Sequence, residues 1–223
     1  MDTVNLNGKK TKVNRIFCVA MNYSGHIKEL KSKTPDSPVI FMKPLSSLVT
    51  QADSGENRIP FPAHGKNLHY EAELVLLISK EGRPCEDDFS EYIAGYSIGL
   101  DLTLRDVQNE LKKNGYPWES AKAFDGAAAI GQFTKTNEDQ TWDSIHFTCK
   151  LNDQVKQSGN ISDMIFPVKT LLVHIGGIWK LQPGDLIYTG TLPGVGSLKP
   201  GDSLSLQSEG TGVSTWSIVA SVS

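Results

Sequence analysis

His69-Tyr70-Glu71-Ala72-Glu73-Leu74-Val75-Leu76-Leu77-Ile78 is the stretch on which the fold turns. Its second half is an unbroken apolar run of strand length, the pattern of a β-strand covered on both faces. Side chains alternate across a strand, so His69, Glu71 and Glu73 share a face that continues into Val75 and Leu77. Two carboxylates side by side at the mouth of an apolar strand repel each other and lose hydration, and both effects oppose ionisation. A divalent cation that takes oxygen ligands removes both penalties. A strand end carrying two solvated glutamates satisfies the same spacing, and these ten residues alone leave both readings open.

Working outward, strand-like runs dominate the chain, at 15–20, 39–41, 71–78, 92–100, 145–151, 186–189, 203–207 and 214–222. Helical patterns are fewer, at 24–33, 103–114 and 165–180. The second places Leu104, Val107 and Leu111 on one face, with Thr103 as its cap, Asp106 as an imperfect capping-box partner and Gly115 as its stop. Pro167 stands near the start of the third. Strands and helices do not alternate, which disfavours a doubly wound sheet and predicts a β-rich α+β fold. Leu181-Gln182-Pro183-Gly184-Asp185 is nearly repeated by Leu198-Lys199-Pro200-Gly201-Asp202, and each Pro-Gly reads as a tight turn feeding a strand. No composition shift marks a linker. Residues 1–14 read as an N-terminal segment able to form a small strand or hairpin, and 15–223 as a single domain.

With 223 residues, 39% hydrophobic and 21% charged, the chain has ordinary globular composition. A net charge of -3 and the lack of a Lys/Arg stripe argue against nucleic acid as a partner. Solvated helix faces account for the basic residues around Lys28 to Lys33 and at Lys112 and Lys113. No apolar run is long enough to span a bilayer, and the first residues lack a signal-peptide core. Cys18, Cys85 and Cys149 lie far apart, which suggests reduced thiols and a cytoplasmic location without a membrane partner.

Four further segments carry groups suited to chemistry. Asp101 falls where a strand gives way to a helix, a place from which a carboxylate can enter a cleft. Arg105 and Gln108 follow, three apart on one helical face, and a guanidinium beside an amide suits a carboxylate ligand. His26 and Glu29 are also three apart, and a carboxylate beside an imidazole makes it a better general base. Pairing of Glu29 with Lys33 is the plainer alternative. Lys122 stands in a small, otherwise uncharged stretch, from which it could neutralise an enolate or a substrate carboxylate. The Gly-rich turn from Tyr188 to Gly196 offers backbone amides to an anion, or is simply a loop.

Taken in order, these segments resemble the fumarylacetoacetate hydrolase family, in its small acylpyruvase-like branch. The elements that carry the likeness are N-Y-x-x-H-x-x-E at Asn22 to Glu29, F-M-K-P at Phe41 to Pro44 and H-Y-E-x-E at His69 to Glu73. They continue with L-D-x-T-x-R-D-V-Q at Leu100 to Gln108, P-W-E-x-A-K-A-F-D at Pro117 to Asp125 and T-G-T-x-x-G-V-G at Thr189 to Gly196. The resemblance implies a mixed β-sandwich roll, usually homodimeric. It implies Mg, or Mn or Ca, held by Glu71, Glu73 and Asp101. It also implies a His26–Glu29 dyad that activates water, a catalytic Lys122, substrate contacts from Arg105, Gln108 and Lys43, and Thr191 closing the site. The substrate would be a small 2-oxo acid. Hydrolysis of an acylpyruvate to pyruvate and a carboxylic acid comes first, oxaloacetate decarboxylation second, and isomerisation of a 2-hydroxy-diene diacid or oxaloacetate tautomerisation third. The chain departs from the usual pattern just before Asn22, where it reads Cys18-Val19-Ala20-Met21 and relatives often have a glycine and frequently a polar or basic residue. Leu192 also replaces the proline common after T-G-T.

Overall fold

The computed structural model describes residues 2–29, 33–52, 56–137 and 140–220. In chain order its first elements are β1 (Thr3–Leu6), β2 (Lys9–Lys12), β3 (Ile16–Ala20), α1 (Ser24–Glu29), β4 (Val39–Lys43), β5 (Leu48–Thr50) and β6 (Arg58–Pro60). Then come β7 (Leu68–Tyr70), β8 (Ala72–Ile78), β9 (Ile93–Asp101), β10 (Thr103–Leu104), α2 (Arg105–Asn114), α3 (Glu119–Lys122), β11 (Ala128–Ile130) and β12 (Thr134–Lys135). The last are β13 (His146–Leu151), β14 (Gln154–Asn160), α4 (Val168–Ile178), β15 (Leu186–Thr191), β16 (Gly196–Leu198), β17 (Ser203–Ser208) and β18 (Ser214–Val219).

Eight strands form a mixed sheet in the order β4-β3-β15-β8-β9-β11-β5, with β12 also paired to β9. All seven residues of β8 are buried, as its unbroken apolar run requires. Ala72, Leu74, Leu76 and Ile78 face one core together with Phe147, Leu204, Leu206, Trp216 and Ile218 of the five-stranded sheet β14-β13-β17-β18-β6. Val75 and Leu77 face a second core with Cys18, Leu186, Tyr188, Phe133 and Val4 of the β1–β2 hairpin. The β-rich α+β expectation is met by a curled mixed sheet with a second sheet packed on one face. Each large core side chain contributes about 1.5–3 kcal/mol through burial. No helix among the described residues is long and apolar enough to cross a membrane.

The near-repeat is a turn-and-clasp device. Gly184 and Gly201 have φ of 88° and 95°, which suits glycine at the third position of a Pro-Gly turn. In each copy the following aspartate reaches back: Asp185 accepts from the Gln182 amide at 2.8 Å and Asp202 from the Lys199 amide at 2.9 Å.

Local sequence misplaced some boundaries. Of the helix expected at 24–33, Ser24–Glu29 is helical and Lys33 is not, and residues 30–32 lie outside the described residues. The helix expected from Thr103 starts at Arg105, because Thr103 and Leu104 pair with His69 and Leu68 as a short strand. The Thr103 hydroxyl donates to the Asp101 carbonyl at 3.4 Å and caps nothing. Asp106 accepts instead from the amides of Lys66 and Asn67, at 2.8 and 3.3 Å. Gly115 does stop α2, with φ 68°. The helix expected at 165–180 begins after Pro167, which lacks the N–H a helix interior needs; the Ile165 and Phe166 amides bind Asn22.

Candidate active site

The antiparallel pair β8–β9 explains how residues thirty apart converge. Ala72 stands opposite Leu100 and Glu73 opposite Gly99, and the Asp101 amide donates to the Glu71 carbonyl at 2.8 Å. Glu71, Glu73 and Asp101 therefore meet at one end of the sheet, all buried, with ligand oxygens within 4.8 Å of one another. His69 does not join them. The chain leaves β7 and enters β8 at Glu71, so His69 belongs to a different sheet, where its Nε2 lies 3.2 Å from Ser197 Oγ. Burial, with the nearby Arg105 charge, lowers the His69 pKa to about 4.

Three cations surround the acids. Lys122 Nζ bridges Glu71 Oε2 at 2.6 Å and Asp101 Oδ2 at 2.8 Å. Arg105 Nη2 binds Glu71 Oε1, while its Nη1 donates to Gln108 Oε1 at 2.7 Å. Lys43 Nζ lies 2.8 Å from Asp101 Oδ1 and donates to the Lys122 carbonyl. Glu73 has no such cation, and its Oε2 accepts from the Gly190 amide at 2.8 Å. The pKa directions divide accordingly. Burial would raise Glu71, but Lys122 and Arg105 outweigh it and hold the carboxyl far below the usual range. Burial, then repulsion from Asp101 and Glu71, pushes Glu73 well up. Burial opposes the Lys122 charge, yet Asp101 and Glu71 raise its pKa overall.

One cavity, of about 30 Å³, gathers eight of the ten residues singled out in the sequence: His26, Glu71, Glu73, Asp101, Arg105, Gln108, Lys122 and Thr191. Glu29 stands behind His26, with Oε2 3.5 Å from Nδ1, and takes the Gly194 amide at 3.3 Å; it is not paired with Lys33. Burial lowers the His26 pKa, so the imidazole is held neutral. Lys43, expected from the resemblance to contact substrate, is placed beside Asp101. It is buried behind Asp101 and does not line the cavity, because β4 delivers it from the sheet side. Thr191 Oγ1 is committed to the Ala72 carbonyl and the Gln157 amide, both at 2.8 Å. The Gly-rich turn directs one backbone amide, that of Gly190, onto the protein's own Glu73 carboxyl. Gly190 has φ 100°, and a Cβ there would fall 2.7 Å from Asn22 Cβ. Met21 lines the cavity with φ 58°, a left-handed conformation that glycine adopts without strain.

A hard divalent ion fits this donor set. Carboxylate oxygens about 2.0–2.6 Å from one ion lie within about 5 Å of each other, as these do. Glu73, driven towards its neutral form by the other acids, is the ligand whose charge such an ion would restore.

Comparison with known proteins agrees with this arrangement. A family model described as fumarylacetoacetate (FAA) hydrolase C-terminal matches residues 15–219. The chain belongs to the fumarylacetoacetate hydrolase family. Within it, the chain is 38% identical over 206 residues to the oxaloacetate tautomerase YcgM of Escherichia coli, covering 91% of this chain and 92% of that protein. It is 37% identical over 188 residues to the mitochondrial oxaloacetate decarboxylase of Dictyostelium discoideum, covering 84% and 85%. Among solved structures, the fumarylpyruvate hydrolase of Pseudomonas aeruginosa in complex with Mn2+ and pyruvate superposes with a TM-score of 0.93 at 30% identity, covering 98% of this chain and 95% of that one. Members of the family are enzymes, and hydrolases, decarboxylases and isomerases occur among them.

Sequence reasoning assigned no role to two residues that brace this site. Gln157 braces it from β14, accepting the Ala72 amide at 3.0 Å and donating to Thr191. Asn22 is fully buried and ties the Thr189 and Phe166 carbonyls together. Asn22 was at least visible as the first residue of N-Y-x-x-H, whereas Gln157 lies in a polar strand with no distinguishing pattern.

Proposed function

We propose that the protein is a metal-dependent enzyme that holds a small 2-oxo acid as its enolate, with oxaloacetate as substrate and keto–enol tautomerisation as its main reaction. Charge balance in the buried site carries this reading. Three carboxylates face three cations, Lys43, Lys122 and Arg105. A divalent ion would therefore leave two positive charges to be met, and a dianionic 2-oxo acid or its enolate meets them. When bound, the ion supplies Lewis-acid polarisation of the 2-oxo and carboxylate oxygens. Arg105 and Gln108 orient a carboxylate. Lys122 places positive charge beside the oxygen on which the enolate develops. His26, kept neutral by burial and backed by Glu29, takes the proton from C3. Lys43 positions Asp101. The oxaloacetate names of two relatives at 37–38% identity support the choice of substrate.

Hydrolysis of acylpyruvates, placed first by the sequence, is the second reading. The same His26–Glu29 pair favours it, since a neutral imidazole with a carboxylate behind it can equally deprotonate a water. Decarboxylation of oxaloacetate needs the electron sink and no base.

The deciding experiment offers Mg2+- or Mn2+-loaded protein oxaloacetate, acetylpyruvate and fumarylpyruvate, with and without a chelator. We expect chelator-sensitive conversion, fastest on the oxaloacetate tautomers. Absent or chelator-insensitive conversion of all three would end the proposal. A homodimer belongs to the same proposal. The edge strand β4 exposes Met42 at 37% and nearby Tyr116 is 60% exposed, the kind of apolar edge that pairs with another chain. Light scattering is expected to give twice the 24.4 kDa of one chain, and a monomer at micromolar concentration would remove it. A reducing, cytoplasm-like compartment is also part of the proposal, supported by the free thiols Cys18, Cys85 and Cys149.

A further inference from the structure

Lys112 and Lys113, read in the sequence as a solvated helix face, are both exposed, but Lys112 also lines the cavity that holds the acids. We propose that Lys112 receives a second carboxylate at the far end of the substrate, and so sets a preference for 2-oxo dicarboxylates over 2-oxo monocarboxylates. This assignment rests on the function proposed above.

Spacings of three and four place Arg105, Gln108 and Lys112 on one face of α2, and all three line the cavity that holds the acids. The other cations that line it are engaged, Lys122 with Glu71 and Asp101 and Arg105 with Glu71, and Lys43 behind it is paired with Asp101. Among the described residues Lys112 makes no ion pair. Its ammonium lies 5.3 Å from the centre of the Trp118 ring, which keeps it at the cavity wall, and Trp118 is itself packed on Phe41 at 6.0 Å. Its side chain is exposed at the cavity rim; partial desolvation there, with the charges of Arg105 and Lys122, lowers its pKa, a cost that a bound anion relieves.

Size fixes which end of the substrate arrives there. The cavity that the acids and Lys112 line together holds about 30 Å³, room for little more than one ion or water. A 2-oxo acid chelated at that point must extend outward along the α2 wall, where the next group with unspent positive charge is Lys112. An acyl chain ending in a methyl group gains nothing from it, whereas one ending in a carboxylate gains a charge-assisted contact.

The test compares parent, Lys112→Met and Lys112→Arg proteins loaded with Mg2+. KM is measured for oxaloacetate and for acetylpyruvate. Calorimetric Kd is measured for malate and lactate, unreactive 2-hydroxy acids that differ by the distal carboxylate. For Lys112→Met, the preference for dicarboxylate over monocarboxylate is expected to fall by about tenfold in both pairs, the size of one charge-assisted contact at a half-open rim. Lys112→Arg is expected to restore most of it. A merely structural lysine would weaken both members of a pair equally, and that result overturns the assignment. So does an unchanged ratio, or a parent protein that binds malate no better than lactate. Because calorimetry needs no turnover, an inactive parent that still discriminates malate through Lys112 would sink the proposed reaction and leave this assignment standing.

Discussion

Glu73→Gln is expected to abolish metal binding and turnover while leaving the metal-free protein as stable as the parent, whereas Glu71→Gln is expected to lose both. The difference lies in what each carboxylate already touches. Glu71 neutralises Lys122 and Arg105 in a buried site. Removing its charge leaves Arg105 without its carboxylate partner and Lys122 with Asp101 alone, which costs about 3–5 kcal/mol. For a chain of this length that corresponds to a melting point lower by about 10 °C. Glu73 faces no cation and is pressed towards its neutral form by burial and by Asp101 and Glu71. A glutamine there resembles the protonated acid in shape and charge and costs little. Metal affinity should still fall by at least about a hundredfold, since even residues behind metal ligands cost 10–100-fold.

The pH dependence follows with a definite sign. A carboxyl whose pKa is raised on folding contributes stability that is full below its unfolded pKa and is lost as pH rises through the folded one. Metal-free parent protein should therefore melt progressively lower as pH rises through the raised Glu73 value, and Glu73→Gln should not. Added Mg2+ should reverse the loss and release a proton, visible as a buffer-dependent binding enthalpy. Thermal melts of the three proteins between about pH 5 and 9, with and without metal, check the set. A metal-free Glu73→Gln protein that melts far below the parent would show that Glu73 is ionised and structurally paired.

The strand β8 and its acids were legible because their signals are local: an unbroken apolar run, a two-residue period and a strand that ends at Asp101. Arg105 and Gln108 were legible through helical spacing, and they do bond to each other. What escaped the sequence depends on register between distant strands. Lys43 reads as a plausible ligand contact until the pairing of β3 with β4 sets it behind Asp101. Gln157 and Gly190 become part of the site only because β14 and β15 arrive beside Ala72 and Glu73. Thr103 has the right chemistry for a helix cap, but its pairing with His69 in a neighbouring sheet overrides it. His69 shows the same competition from the other side: strand periodicity aims it at the metal face, and the change of sheet at Glu71 takes it away.

His26→Ala is expected to lower tautomerisation and acylpyruvate hydrolysis by about 10²–10⁴-fold while leaving metal-dependent decarboxylation of oxaloacetate within a few-fold of the parent. The first two reactions need a proton removed, from C3 or from water. Loss of CO2 needs only somewhere for the electron pair to go, and Glu71, Glu73, Asp101 and Lys122 that build that sink are untouched by the change. His26 lines the cavity with no hydrogen bond at Nδ1, so its removal leaves no buried partner stranded and metal affinity should stay near that of the parent. Glu29→Gln should act in the same direction but less, since Glu29 stands behind His26 at 3.5 Å and is partly open to solvent. The parent's pH profile supplies an independent check. Burial lowers the His26 pKa, so the base form persists below the usual histidine range, and the acid limb of kcat/KM should lie below about pH 6.5. That limb should vanish from whatever residual activity His26→Ala retains. Equal loss of all three reactions in His26→Ala, with metal binding intact, would mean that the imidazole serves the enolate itself, and the division of labour between His26 and the acid trio would have to be abandoned.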